Sequence, residues 1–145
     1  MKTNKVLYEI KTLNNLIKRK VGKSLGEHHM DELTMAHGWI LKYINNSSED
    51  VFQKNIEQHF MIRRSTATQM LNLLEKKEMI TRTSVEYDAR LKKLTLTPKA
   101  KECELKVNEQ MIKIENQISS DIPKEDIEVF LRVIKQMKDN INKGK

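Results

Sequence analysis

Glycine and proline are scarce in this chain, four and two among 145 residues, and so few helix breakers favour a mainly α-helical fold. There is no glycine-rich phosphate loop, no nucleophile with a base partner in a motif and no credible carboxylate pair. An enzyme is therefore not expected, and no catalytic residue is assigned. Cys103 is the only cysteine, which excludes an internal disulfide and a cysteine-rich zinc site. No apolar run approaches the roughly 18 residues of a membrane span, and no signal-peptide pattern opens the chain, so no membrane partner and a cytoplasmic location are expected. The histidines His28, His29, His37 and His59, with Asp31 and Glu32 among them, show no metal-ligand spacing. Neither metal nor cofactor is expected.

What the chain does have is positive charge. Lys and Arg number 27 against 20 acids, a net +7 that points to polyanions. Between Val51 and Thr97 nine basic residues face five acids, so a third of the chain carries more than half of the excess. Hydrophobic residues at 38% and charged residues at 32% suit one globular unit over 1–145 with a buried core.

The segment from Arg63 to Lys76 reads as a helix. Ala67, Met70, Leu71 and Leu74 fall at i, i+3, i+4 and i+7, one apolar stripe. The opposite face carries Arg64, Ser65, Thr68, Gln69, Asn72 and Lys76, short hydrogen-bonding groups in place of the Glu/Lys pairs that coat a solvated helix. Arg fits guanine O6 and N7, Gln or Asn fits adenine N6 and N7, and the Thr methyl fits thymine. With Arg63 and Thr66 at the helix start, these form the candidate DNA-binding set, in which Arg64, Ser65, Thr68 and Gln69 suit bases and Lys76 a phosphate. A merely polar exposed helix matches the same composition.

Upstream, Asp50 with Gln53 is a capping pair for a short helix through about His59, with Val51, Phe52 and Ile56 as its apolar side. Residues Phe60 to Arg63 then make a tight connection, which together with the polar second helix describes a helix-turn-helix. Downstream, Met79–Val85 and Leu91–Thr97 read as two strands, Leu94 and Leu96 inward and Lys93 and Thr95 outward. The tip Glu86-Tyr87-Asp88-Ala89-Arg90 lacks Asn-Gly or Asp-Gly, so a longer wing is expected in place of a two-residue hairpin. Arg90 suits a narrow minor groove with Asp88 orienting it, and Lys92 and Lys93 suit phosphates.

The two ends of the chain carry helical stripes. Val6, Ile10, Leu13, Ile17 and Val21 mark one helix, ending near Gly22 to Gly26. Thr97-Pro98 is an N-cap and first-turn proline for a long helix with Val107, Met111, Ile114 and Ile118. Pro123 starts a last helix with Ile127, Phe130, Leu131, Ile134, Met137 and Ile141. One DNA-binding unit cannot cover this much apolar stripe, so a symmetric dimer is expected, presenting two reading helices to half-sites about one helical turn apart. An intramolecular bundle is the other arrangement.

The order Leu33-Thr34 opening a helix, Arg64-Ser65-Thr66-Ala67-Thr68, Leu74-Glu75-Lys76-Lys77, and Asp88-Ala89-Arg90 leading into Leu94-Thr95-Leu96-Thr97 resembles the MarR (multiple antibiotic resistance regulator) family over nearly the whole chain. The resemblance implies a winged helix-turn-helix at 31–97, flanked by dimerisation helices at 1–30 and 98–145. It implies a homodimeric transcription regulator, usually a repressor, whose affinity for double-stranded DNA falls when an effector acts on it. Two positions depart from the pattern: Glu78 and Ala100 stand where such sequences carry glycine. The first puts the end of the reading helix at issue, because the expected cap is left-handed. The family's peroxide-sensing branch carries a reactive cysteine near the N-terminus. Here Cys103 lies between Glu102 and Glu104, a setting that raises a thiol pKa and fits an idle thiol. Thr34 reads as the N-cap of a helix through about Asn45 bearing His37, Trp39 and Tyr43, a candidate effector pocket where relatives often hold ligands. A winged-helix module for protein partners and a non-specific DNA-associated protein are the alternatives.

Overall fold

The computed structural model describes residues 4–30 and 32–144; Asp31, where the expected DNA-binding region begins, lies outside the described residues. Among the described residues six helices and one hairpin follow in order: α1 (Lys5–Glu27), α2 (Met35–Asn46), α3 (Gln53–Phe60), α4 (Arg64–Lys76), β1 (Ile80–Val85), β2 (Asp88–Leu96), α5 (Pro98–Ile118) and α6 (Lys124–Lys143). Two compact units divide the chain, Met1–Met111 and Ile112–Lys145, with the boundary inside α5. Among the described residues no helix is long and apolar enough to cross a membrane.

The first unit closes around Leu25, Ile40, Leu41, Ile56, Leu71, Leu74 and Ile80, all fully buried. The α4 stripe supplies Ala67, Leu71 and Leu74 to this core, as its spacing requires, with Met70 half-buried. Gly38 on α2 is there for contact: a Cβ added to it would stand 2.6 Å from Val107 Cγ1 of α5. Helix α1 passes straight through Gly22 and Gly26 before it ends.

Two local expectations are corrected. Asp50 and Gln53 do not cap α3. The N-cap is Phe52, whose N–H donates to Asn55 Oδ1 at 2.8 Å, while Asp50 pairs with Lys93 at 3.2 Å. Val51 is drawn off the helix because its carbonyl accepts from Leu94 N–H at 2.8 Å, a bridge to β2 that a local pattern does not contain. The hairpin link is also shorter than expected. Glu86 and Tyr87 alone join the strands, since Val85 pairs with Asp88. Ser84 pairs with Lys92, so Ala89, Arg90 and Leu91 bulge from β2 and supply the twist that otherwise requires a left-handed turn residue.

The scarcity of glycine has a structural counterpart. Among the described residues four adopt left-handed backbone, His29, Met61, Glu78 and Asp121, and no glycine does. At the end of α4, Met79 N–H donates to Leu74 O and Glu78 N–H to Glu75 O, both at 2.9 Å, which is the Schellman closure with Glu78 at the left-handed position. The helix therefore stops as a glycine-ended one does, with φ of 59° carried by glutamate. Left-handed geometry costs an L-residue about 1–2 kcal/mol, against about 0.4–1 kcal/mol of extra unfolded-state entropy for glycine. Glu78→Gly is thus expected to stabilise the fold by about 1 kcal/mol in urea denaturation. Equal or lower stability would show the strain to be relieved elsewhere.

Thr97 joins this closure to the next helix. Its hydroxyl donates to Glu78 O at 2.7 Å and accepts from Ala100 N–H at 3.1 Å, so one side chain anchors the end of α4 and caps α5. Thr34 N-caps α2, and its backbone N–H donates to His37 Nδ1 at 3.0 Å. His37 is buried, and burial pushes its pKa below the ordinary 6.5 by disfavouring the imidazolium. The unfolded chain then binds this proton first. The stability contributed by neutral His37 is whole above pH 6.5 and is lost as pH falls toward the lower folded value. Urea titrations from pH 7 to pH 5 are expected to show a fall in stability that His37→Gln reduces; parallel curves would acquit this residue.

Candidate nucleic-acid interface

Helix α3 ends at Phe60, Met61 takes the left-handed turn, and α4 begins at Arg64, so two helices meet through a three-residue connection. The face of α4 turned from the core exposes Arg64, Ser65, Thr66, Gln69, Asn72 and Lys76, with Arg63 exposed just ahead as the N-cap. Thr68 is half-buried, and its Oγ1 accepts from Gln53 Nε2 at 2.9 Å. Asn72 Oδ1 accepts from Arg82 Nη2 at 3.1 Å. The exposed polar face of α4 is therefore braced from α3 on one side and from β1 on the other.

On the wing, Asp88 accepts from Arg90 N–H at 2.9 Å and from the Arg90 guanidinium at 3.3 and 3.4 Å. The backbone hydrogen bond first, and then the guanidinium, hold the Asp88 carboxyl below the ordinary carboxylate range. The Arg90 side chain is nevertheless 91% exposed. It is aimed outward and held at its base. Lys92 Nζ donates to Ser84 Oγ at 2.7 Å, and Lys93 spends part of its charge on Asp50. An exposed pair of this kind contributes at most about 1 kcal/mol and yields readily to a phosphate.

Between α3, α4 and the wing lies an open cleft of about 530 Å³ whose walls include Lys54, Arg64, Arg82, Arg90 and Lys92, with Glu57 the acid among them. Local charge on this side is thus strongly positive. Arg82 and Gln53 are functional candidates that helix spacing misses, since they lie outside α4. For Arg82 the strand period held the signal: it falls two residues after buried Ile80, on the side facing α4.

The suggested effector residues separate. Trp39 and Tyr43 line an open cleft of about 460 Å³ with Lys42, His59 and Phe60, where the Tyr43 and His59 ring centroids are 4.4 Å apart. His37 points into the core and takes no part in that cleft. Cys103 is buried, and burial, with Glu104 as a minor cause, raises its thiol pKa against the pull of Lys106 and Lys99. No described cluster of His, Cys, Asp or Glu is arranged to hold a metal ion.

A polar-faced second helix after a short turn, followed by a two-stranded wing, defines a winged helix-turn-helix protein. Residues 32–91 match the sequence model of the MarR family. Among solved structures, the chain is similar to the transcription regulator MarR from Oenococcus oeni PSU-1, at 26% identity over 92% of this chain and 98% of that one, with a TM-score of 0.75. It is also similar in fold to DNA-bound MepR from S. aureus (20% identity, 97% and 99% covered, TM-score 0.83). Streptococcus pneumoniae FabT in complex with DNA is a third such likeness (19% identity, 97% and 98% covered, TM-score 0.76). Residues 32–91 thus resemble the MarR family in sequence, and nearly the whole chain shares the winged-helix fold of these solved structures.

Proposed function

We propose that this protein is a homodimeric, sequence-specific transcription repressor that binds a pseudo-palindromic operator and responds to a small-molecule or environmental signal. The observation that carries the reading is the exposed polar face of α4 beside a wing whose Arg90 projects into solvent from an Asp88 anchor. Residues 31–97 are the DNA-binding region in this reading, and 1–30 and 98–145 the dimerisation helices. Arg64, Ser65, Thr68 and Gln69 read bases, with Arg63, Thr66 and Asn72 beside them. Arg90, oriented by Asp88, reads minor-groove shape, and Lys76, Lys92 and Lys93 bind phosphates. The DNA complexes of MepR and FabT support the same use of this fold here. The cleft at Trp39 and Tyr43, lined also by His59 and Phe60, is the proposed effector site, and buried His37 is not part of its lining.

The test is binding to the DNA upstream of the protein's own gene, across salt and against random duplex. Gln69→Ala is expected to relax preference at particular base pairs by about 1–3 kcal/mol. Lys76→Ala is expected to weaken all duplexes alike and to reduce the salt slope by about one unit. Equal effects of both on specific and random DNA would sink the assignment.

A further inference from the structure

Arg82 is a cation beside the reading face with no part in the scheme above. Its Nη2 donates to Asn72 Oδ1 at 3.1 Å, and its Nε is buried without a protein partner among the described residues. A guanidinium only donates and stays protonated, so it always takes the oxygen end of a neighbouring amide. The rotation of the Asn72 amide is thereby fixed: Oδ1 faces Arg82, and the two N–H bonds of Nδ2 remain for a partner at the surface.

A free asparagine docks on adenine by giving an N–H to N7 and accepting from the N6 amino group. Here one of the two lone pairs of Oδ1 is engaged by a cation, so an N6 group approaching the other meets positive charge and a neighbouring donor. Guanine presents two acceptors, N7 and O6, and no donor on that edge. One turn earlier, Gln53 Nε2 occupies one lone pair of Thr68 Oγ1, and the hydroxyl proton stays free to donate.

We infer that Arg82 is a specificity-determining positioning residue: it holds Asn72 as a donor, so the base pair beneath Asn72 is read on an acceptor edge, guanine first, and adenine is rejected there. This rests on the proposal that α4 enters the major groove.

The experiment is selection of binding sites from duplexes randomised across the operator. It compares wild type with Asn72→Ala, Asn72→Asp, Arg82→Met and Arg82→Lys, each checked by thermal melting. The position that loses discrimination in Asn72→Ala is the one beneath this residue. Wild type is expected to prefer guanine there, with adenine binding about tenfold more weakly. Arg82→Met frees Oδ1 and moves the preference toward adenine at that position alone, whereas Arg82→Lys, which can still donate to Oδ1, restores guanine. Asn72→Asp keeps the contact with Arg82 but has no N–H to offer, and loses the guanine preference. If Arg82→Met melts too early to assay, Arg82→Gln, whose neutral amide removes the cation, takes its place and is expected to weaken the guanine preference; an unchanged preference overturns the inference. Adenine preferred there by wild type, or an even loss across all positions in Arg82→Met, overturns the inference and leaves the α4 reading standing. Selection of no sequence by wild type overturns both.

Discussion

Arg90→Ala is expected to remove most operator binding, about 10- to 100-fold, while secondary structure and oligomeric state stay as they are. The size follows from what the side chain offers. Hydrogen bonds from a charged donor are worth about 1.5–3 kcal/mol each where the partner is desolvated, and a narrow minor groove concentrates negative potential where such a group inserts. The fold should not notice the change, because the side chain is 91% exposed and its ion-pair partner Asp88 is itself on the wing. Thermal melting of the variant should therefore overlay wild type. The salt slope should also fall by about one phosphate equivalent. Arg90→Lys separates charge from geometry: it keeps the positive charge but not the forked contact with the Asp88 carboxylate, so it should recover affinity only in part. Because Asp88 is held below the ordinary carboxylate range, the anchor stays charged through mildly acidic conditions, and the Arg90 effect should be the same at pH 6 and pH 8. Operator affinity unchanged in Arg90→Ala would remove the wing from DNA recognition altogether.

The parts of this protein that were legible in the sequence are those built from near neighbours. The stripe Ala67, Leu71 and Leu74 is a property of helical period, and all three are fully buried. Leu94 and Leu96 alternate with exposed Thr95, and Thr97-Pro98 opens α5 as a local capping rule requires. The readings that failed did so where a distant partner intervened. Asp50 and Gln53 have capping-box spacing, but Leu94, some forty residues on, claims Val51 and moves the helix start to Phe52. The five-residue wing tip became a two-residue link because the surplus length went into a bulge opposite Ser84 and Val85, which depends on inter-strand register. At the site, the exposed face of α4 was legible and its bracing was not: Gln53 and Arg82 lie 15 and 10 residues from the side chains they hold. Glu78 is the intermediate case. Family likeness marked the position as one for glycine, and the left-handed φ there agrees, although the residue does not.

Ile10→Asp is expected to convert a dimer into a monomer sedimenting near the 17.1 kDa of one chain, with loss of protection over a two-half-site operator. Within the single chain, α1 leaves Val6, Leu7, Ile10 and Leu13 exposed, Ile10 by 46%, although the spacing of Val6, Ile10 and Leu13 is that of a buried stripe. Val21 and Leu25, nearer the end of the same helix, are buried. The helix is thus anchored at one end and carries an unpartnered apolar face at the other, which a second copy of the chain would cover. A carboxylate placed in such an interface must be desolvated without a partner or protonated, at a cost of several kcal/mol per site that a two-fold axis doubles. The monomer should still fold, since position 10 is solvent-facing in the isolated chain, and a cooperative melt would show that it does. Loss of operator protection then follows from geometry, because one recognition helix retains its own contacts but not the second half-site one helical turn away. Helix α6 offers an independent apolar surface in Phe130, Leu131 and Ile141, so Leu131→Asp is the companion variant. If Ile10→Asp remains dimeric while Leu131→Asp dissociates, the C-terminal helices alone hold the dimer; if both remain dimeric, neither face is the interface.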